Sequence, residues 1–274
     1  MPANMPRMPK SVKTTPALPL RDTVQSLERG LAVIRSLGDS HGQTLADVAK
    51  RTGMTRAAAR RFLLTLEALG YVGRHGNDFH LLPKTLELGY SYLASQSLAQ
   101  VAQPHLQKLA NELGESCSVL VLDRHSIIYV ARVTVNRLVG ANLSVGSTLP
   151  AYCTSAGRLL LAALPEAALR AYLRDGGFEK LTPKTLVTPA ALRREIDRAR
   201  RQGWYLINEE LEHGARALSV PLHDDTGGTI AAINLSCYAG RVQPETMTGK
   251  FLPRMLAAAE AIDAEMRVIG GTRR

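Results

Sequence analysis

The chain has 274 residues, 45% hydrophobic and 21% charged, with a formal net charge of +10. This composition is globular, and the length is more than one core needs and suits two domains. The N-terminus lacks an apolar core of signal-peptide length, and no apolar run approaches the roughly 18 residues of a membrane span, so a cytoplasmic location is expected.

Cys117, Cys153 and Cys237 make an odd set with no CxxC pair. That argues against a disulfide framework and against a zinc site, and no cofactor is expected. The positive charge is uneven. Residues 1–82 hold 12 Lys+Arg against 6 Asp+Glu, and residues 83–274 hold 22 against 18. A basic first third permits a polyanionic partner without proving one.

Residues 1–21 carry Pro2, Pro6, Pro9, Pro16 and Pro19 without apolar periodicity, and are expected to be a disordered tail. In "VQSLERGLAVIRSLGDS", Val24, Leu27, Leu31, Ile34 and Leu37 recur at helical spacing up to Gly38. "TLADVAKRTG" predicts a short second helix. Thr44 is its N-cap, Leu45, Val48 and Ala49 form its stripe, and Gly53 stops it. Its charges follow the helix dipole, with Asp47 early and Lys50 and Arg51 late.

The next segment, "MTRAAARRFLLTLEALGYV", breaks that rule. Thr55 is the expected N-cap, yet Arg56, Arg60 and Arg61 crowd the positive end and no acid occurs before Glu67. Ala58, Phe62, Leu66 and Leu69 are the expected core stripe, with Arg56 and Arg60 opposite and Arg61 on the flank. "RTGMT" leaves only a tight turn between the two helices, and "GYVGRHGNDFHLL" reads as a hairpin with Tyr71, Val72, Phe79 and Leu81 in its strands. Three helices and a hairpin over 22–82 describe a winged helix-turn-helix. A basic helix end costs about 0.3–1 kcal/mol per charge in isolation. Phosphate or base contact in a major groove would offset it. The alternative is an ordinary solvated basic face. Arg74 and His75 in the hairpin either reach a neighbouring nucleic-acid backbone or minor groove or are simply solvated.

Residues 83–97 are expected to be a linker helix opened by Pro83, with Leu86, Gly89, Tyr90 and Leu93 on one stripe. It either pairs copies of the chain or only connects domains. Pro104 falls inside a second helical pattern that continues through Leu106, Leu109 and Leu113.

The second domain, 98–270, mixes strands and helices without a βαβ repeat, which is the α+β class. "SCSVLVLDRHSIIYVARV" is a strand pair, and "WYLINEE", "RALSVPLHD" and "GTIAAINLSCYAG" are further strands. Neither GxGxxG nor GxxxxGK[ST] occurs. Two features suggest a small-ligand pocket. "AYCTSAG" brings short side chains to a helix N-terminus capped by Thr154 or Ser155, where backbone N–H groups can hold a carboxylate. Asn208, Asn234 and Ser236 are polar residues among apolar strand residues, and Arg132 or Arg137 can pair with an acid. Each is equally readable as a satisfied strand polar group or a cap. An enzyme would need Cys153, at the helix start, as a nucleophile. No His or acid stands at a recognisable spacing from it.

These segments resemble the IclR family of bacterial transcriptional regulators over residues 22–268. The resemblance rests on "VQSLERGLAVI", "TLADVAKRTG" with "TRAAARRFLLTLEALGYV", "LPAYCTSAGRLLLA", "NEELEHGARALSVPL" and "AAINLS". Within the family the chain is most similar to regulators of the β-ketoadipate pathway, which control protocatechuate and 4-hydroxybenzoate catabolism. The resemblance implies a winged helix-turn-helix head, a linker helix and a GAF-like α+β effector domain. It implies homodimers or homotetramers on double-stranded promoter DNA, with RNA polymerase as a further partner and no enzymatic activity. The effector would be a small aromatic acid or β-ketoadipate; glyoxylate or pyruvate is the alternative within the family. By motif, Ser155, Ala156, Gly157, Asn208, Asn234 and Ser236 would surround it, and Asn208 stands where several members have Asp. Thr55, Arg56, Arg60, Arg61 and Arg74 would face DNA.

Overall fold

A computed structural model describes residues 24–38, 42–89, 97–135 and 143–271. The expected tail, Tyr90, Leu93 and Arg137 lie outside them. The chain forms two compact units, one ending at Ser95 and the other beginning at Gln96.

The first unit contains α1 (Gln25–Ser36), β1 (Gln43–Thr44), α2 (Leu45–Thr52), α3 (Arg56–Ala68), β2 (Val72–His75) and β3 (Asp78–Leu81). Local chemistry sets the α2 and α3 starts. Thr44 Oγ1 accepts from Asp47 N at 3.3 Å, and Asp47 Oδ2 accepts from Thr44 N at 3.3 Å, a reciprocal capping box. The Thr44 hydroxyl, donating to Asp47 Oδ2 at 2.6 Å, and the Thr44 N–H hold the Asp47 carboxyl below the usual range. Gly53 ends α2 at φ 69°, a left-handed value that suits glycine. Thr55 Oγ1 then accepts from Ala58 N at 3.2 Å and starts α3.

The core of this unit is Val33, Leu37, Val48, Ala49, Ala59, Leu63, Leu66, Val72 and Phe79. Two expected stripes are corrected. On α1, Val33 and Leu37 are buried and Ile34 partly so, whereas Val24, Leu27 and Leu31 are 65%, 63% and 44% exposed. On α3 the buried row is Ala59, Leu63 and Leu66, and Leu69 is exposed. Leu69 turns outward because the helix closes there, with Gly70 at φ 78° and Tyr71 N bonded back to Leu66 O. The hairpin turns at Gly76 (φ 60°), the glycine expected at the first central position of a two-residue loop. A third strand, β1, pairs with β3 and completes the order β1-β3-β2. After β3 a 3₁₀ turn, Pro83–Leu86, is fastened by Lys84 Nζ to Leu69 O (3.2 Å) and Thr85 Oγ1 to Tyr71 O (3.0 Å).

The second unit opens with α4 (Ser97–Leu113), which contains Pro104, followed by β4 (Ser116–Asp123), β5 (Ser126–Val133) and β6 (Thr148–Pro150). Then come α5 (Ser155–Ala162), α6 (Glu166–Asp175), α7 (Pro189–Gln202), β7 (Tyr205–Asn208), β8 (Ala215–His223) and β9 (Thr229–Tyr238). A turn at Pro244–Thr246 and a π-helical turn at Met247–Phe251 lead into α8 (Leu252–Gly271). The six strands form one antiparallel sheet in the order β6-β5-β4-β9-β8-β7.

Strand alternation divides the sheet into two faces. On one, Val119, Leu218, Val220, Ile233 and Leu235 pack with Leu106 and Leu109 of α4 and Met255 and Ile262 of α8. On the other, Leu120, Tyr129, Ile207 and Ala232 pack with Leu159, Leu160 and Leu161 of α5, and with Leu169, Leu192 and Ile196 of α6 and α7. The expected α+β class is the one observed; α6 had no counterpart among the expected elements.

Candidate effector pocket and nucleic-acid interface

The second face carries a cavity of about 550 Å³, counting its open mouth. Its apolar wall includes Leu120, Ile127, Leu143, Leu149, Ile207 and Leu211; Tyr129, Thr154, Ser155, Glu212, Asn234 and Ser236 add polar groups.

The polar end is held together by three elements. Ser155 Oγ, on α5, lies 2.8 Å from Ser219 Oγ on β8 and 3.0 Å from Asn234 Oδ1 on β9; Ser219 Oγ lies 3.1 Å from the same oxygen. Both serines are 0% exposed and Asn234 is 6% exposed. With Asn234 Oδ1 occupied by hydroxyls, the amide Nδ2 keeps its two donors for a guest. Thr154 caps α5 by accepting from Gly157 N at 3.2 Å. The preceding N–H groups, of Ser155 and Ala156, sit in the first turn where no intrahelical acceptor exists.

Arg132 lies on the same face. It donates to Ser118 Oγ and Thr134 Oγ1, each at 3.2 Å, and its guanidinium stands 5.3 Å from the Tyr129 ring centroid. No carboxylate pairs with it among the described residues. Burial pushes the Tyr129 phenol up to about 12, against the pull of Arg132, so it is neutral at physiological pH.

The structure therefore gathers Ser155, Asn234 and Ser236 on one cavity and sets Arg132 beside it. Ala156 and Gly157 lie outside the wall. A Cβ on Gly157 would overlap Ala151 O and Cα, so this glycine permits close packing of helix on loop. Asn208 also lies outside the wall. Alternation puts it with Leu206 on the α4/α8 face, where its Oδ1 accepts from Arg216 Nε at 2.9 Å. Arg216, 6% exposed, also donates to Ala239 O and Val242 O, and alternation leaves only its backbone along the cavity.

Sequence reasoning missed Ser219 and Arg158. Arg158, 0% exposed on α5, forks onto Glu210 at 2.7 and 2.5 Å, donates to Tyr205 Oη at 2.8 Å and to Tyr152 O at 2.8 Å. Thr182 and Thr185 hydroxyls donate to the carbonyls of Glu209 and Glu210 at 2.7 and 2.6 Å. Together these bonds hold the 209–214 loop, which supplies Leu211 and Glu212 to the cavity. A local signal existed only in the unusual Arg inside "AGRLLLA". Cys153 lines the cavity but is fully buried, and burial pushes its thiol up to about 12, which disfavours the thiolate a nucleophile requires.

In the first unit, Thr55, Arg56, Arg60, Arg61 and Arg74 are all exposed. None of the four arginines has a carboxylate within ion-pair distance among the described residues. Relative to the observed core row, Arg61 stands about 200° from Ala59 at 100° per residue and points outward, whereas Arg60 at about 100° and Arg56 at about 60° lie on the flank rather than opposite the core.

A basic helix-turn-helix head with a wing, joined to an α+β unit with a small-ligand cavity, defines a ligand-responsive DNA-binding protein. Residues 26–76 match the IclR helix-turn-helix domain, and residues 90–264 match the bacterial transcriptional regulator IclR C-terminal domain. The chain is 44% identical over 240 residues to the Pca regulon regulatory protein of Pseudomonas putida, covering 87% of this chain and 82% of that protein. A crystal structure of a transcriptional regulator from Rhodococcus sp. RHA1 is 45% identical with a TM-score of 0.78, over 89% of this chain and 98% of that one. A double mutant of the inducer-binding domain of the Acinetobacter transcription factor PobR, in complex with 3-hydroxybenzoic acid, is 31% identical with a TM-score of 0.58, over 60% of this chain and 97% of that one. The chain belongs to the IclR family. It is a DNA-binding transcriptional regulator, not an enzyme, of the type of the Pca and PobR regulators.

Proposed function

We propose that the chain switches genes of aromatic-acid catabolism in response to a small aromatic carboxylate. The observation that carries this reading is the cavity itself. An apolar slot ends in Ser155, Ser219 and Asn234, beside an arginine with no acid partner among the described residues. The guest's carboxylate or ring hydroxyl bonds Asn234 Nδ2, Ser236 and the first N–H groups of α5, with Arg132 supplying the compensating charge. The 3-hydroxybenzoic acid complex of the PobR domain supports this choice of ligand class.

DNA contact is assigned to Thr55, Arg56, Arg60 and Arg61 on α3 and Arg74 on the wing. The working division is a head over 22–82, a linker over 83–97 and an effector domain over 98–270. Val24, Leu27 and Leu31 on α1, with Leu86 and Leu88, form exposed apolar surface that suits pairing of two copies. Such a regulator acts in the cytoplasm, where its DNA lies. The effector biases the arrangement of paired heads only by binding two arrangements differently.

The test is a thermal-shift series with 4-hydroxybenzoate, protocatechuate, 3-hydroxybenzoate, β-ketoadipate, glyoxylate and pyruvate. A bound guest at one hundred times its Kd stabilises by about 2.7 kcal/mol. A rise in Tm with an aromatic acid supports the reading; a rise with pyruvate or glyoxylate alone overturns it.

A further inference from the structure

The outward face of α3 is not uniformly charged. With Ala59, Leu63 and Leu66 buried, Ala57, Arg61 and Leu64 stand about 160°, 200° and 140° from Ala59, and Arg60 about 100°. Ala57 is exposed and Leu64 is 37% exposed. The helix therefore shows an apolar centre, Ala57 and Leu64, with the Arg60 and Arg61 cations between and beside its two parts.

Charge selects the occupant of this face. Arg56, Arg60 and Arg61 have no acid partner among the described residues, so the surface suits a polyanion. A polyanion bound by charge alone leaves Leu64 and Ala57 without a partner. In the major groove of B-DNA, the apolar group exposed on a base edge is the thymine 5-methyl, while guanine offers O6 and N7 to a guanidinium. Seven residues from Ala57 to Leu64 span about 10 Å at 1.5 Å per residue. That is about three steps along one strand at 3.4 Å per step.

We propose that α3 reads a mixed element of about four base pairs, with Leu64 and Ala57 packed on thymine methyl groups and Arg61 or Arg60 paired with a guanine between or next to them. This rests on the assignment of α3 to the major groove and specifies which bases that helix selects.

The experiment uses the full chain and two kinds of duplex. Sites are first selected from a randomised pool. Each thymine of the selected site is then replaced singly by deoxyuridine, which removes only the methyl group. Wild-type protein is expected to lose about fourfold in affinity at one or two thymines, the worth of one buried carbon. Leu64→Ala is expected to erase that thymine-over-uracil preference at one position, with the salt dependence of binding unchanged. Arg61→Ala or Arg60→Ala is expected to lose at least about fivefold in discrimination at a guanine. If a site is selected but uracil is tolerated at every position by wild-type protein, the proposal fails and the DNA-binding assignment stands. If Leu64→Ala alters the oligomeric state instead of the uracil response, the face belongs to a second copy and the proposal fails. If no sequence is selected at all, the major-groove assignment fails with it.

Discussion

Arg216 Nε donates to Asn208 Oδ1 at 2.9 Å on the sheet face that carries α4 and α8, while Asn234 meets Ser155 and Ser219 on the opposite face. Two asparagines on β7 and β9, the strands either side of β8, thus serve different environments. Asn208→Ala leaves a buried guanidinium N–H without its acceptor. It should lower unfolding free energy by about 1–3 kcal/mol in a urea titration. Asn234→Ala should instead weaken aromatic-acid binding by calorimetry. Loss of ligand binding in Asn208→Ala with stability unchanged would sink this assignment.

Arg158→Ala should cost more. It strands Glu210, whose side chain is 12% exposed, and removes four hydrogen bonds, two of them to the pocket loop. Breaking a buried ion pair from one side costs about 3–5 kcal/mol. Arg158→Lys should recover only part, because an ammonium cannot reproduce the two-pronged contact. Equal stability of the lysine variant and wild type would contradict the geometry.

Gly157→Ala tests the helix-to-loop contact at Ala151. The added methyl meets backbone rather than a movable side chain. A destabilisation of about 1–3 kcal/mol or more is expected from such overpacking. A neutral effect on Tm would show that the loop before α5 shifts freely.

Several of these boundaries were legible in the sequence because they are local chemistry. Thr44, Thr55 and Thr154 cap helices by accepting from backbone N–H groups three residues on, and Gly53 stops a helix in left-handed conformation. The expected α3 core row had Leu66 right but Ala58 and Phe62 in place of Ala59 and Leu63, because neighbouring alanines give periodicity nothing to choose between. Asn208 alternates with Ile207, but which face holds the cavity depends on how six strands stack, information absent from a four-residue strand. Arg158 and Glu210 are 52 positions apart and meet only in the fold. Ser219 sits in an apolar strand, and its significance appears only when Ser155 arrives opposite.

Alkali should destabilise the protein. Burial pushes the thiols of Cys117, Cys153 and Cys237 from 9.0 up to about 12. The folded state keeps protons that the unfolded chain releases, so stability is full below about pH 9 and falls towards about pH 12. Each thiol contributes up to about 1.4 kcal/mol per pH unit across that window. Replacing Cys237 with Ala should make the alkaline decline shallower by one proton in denaturant titrations at pH 8 to 11. An unchanged slope would mean the thiol titrates normally.

On DNA, Arg56→Ala and Arg74→Ala should each reduce the slope of log affinity against log salt by about one if they bind phosphates. Arg60→Ala should cost about 1–3 kcal/mol at the selected site if it meets a base. Circular dichroism establishes that each variant is folded. Unchanged affinity and slope in all three would remove the N-terminal half of α3 and the wing from the interface.

The cavity has one stiff wall and one adaptable wall. Asn234 and Ser219 belong to strands hydrogen-bonded within the sheet, with β9 flanked by β4 and β8. Leu143, Leu211 and Glu212 instead come from connecting segments. Inherited variation can therefore retune which acid is sensed by altering the connecting segments, while the polar anchor stays tied to the stability of the whole domain. A biosensor library confined to those three positions should yield new ligand preferences at little loss of foldable clones, whereas the same diversity at the fully buried Ser155 and Ser219 should yield far fewer.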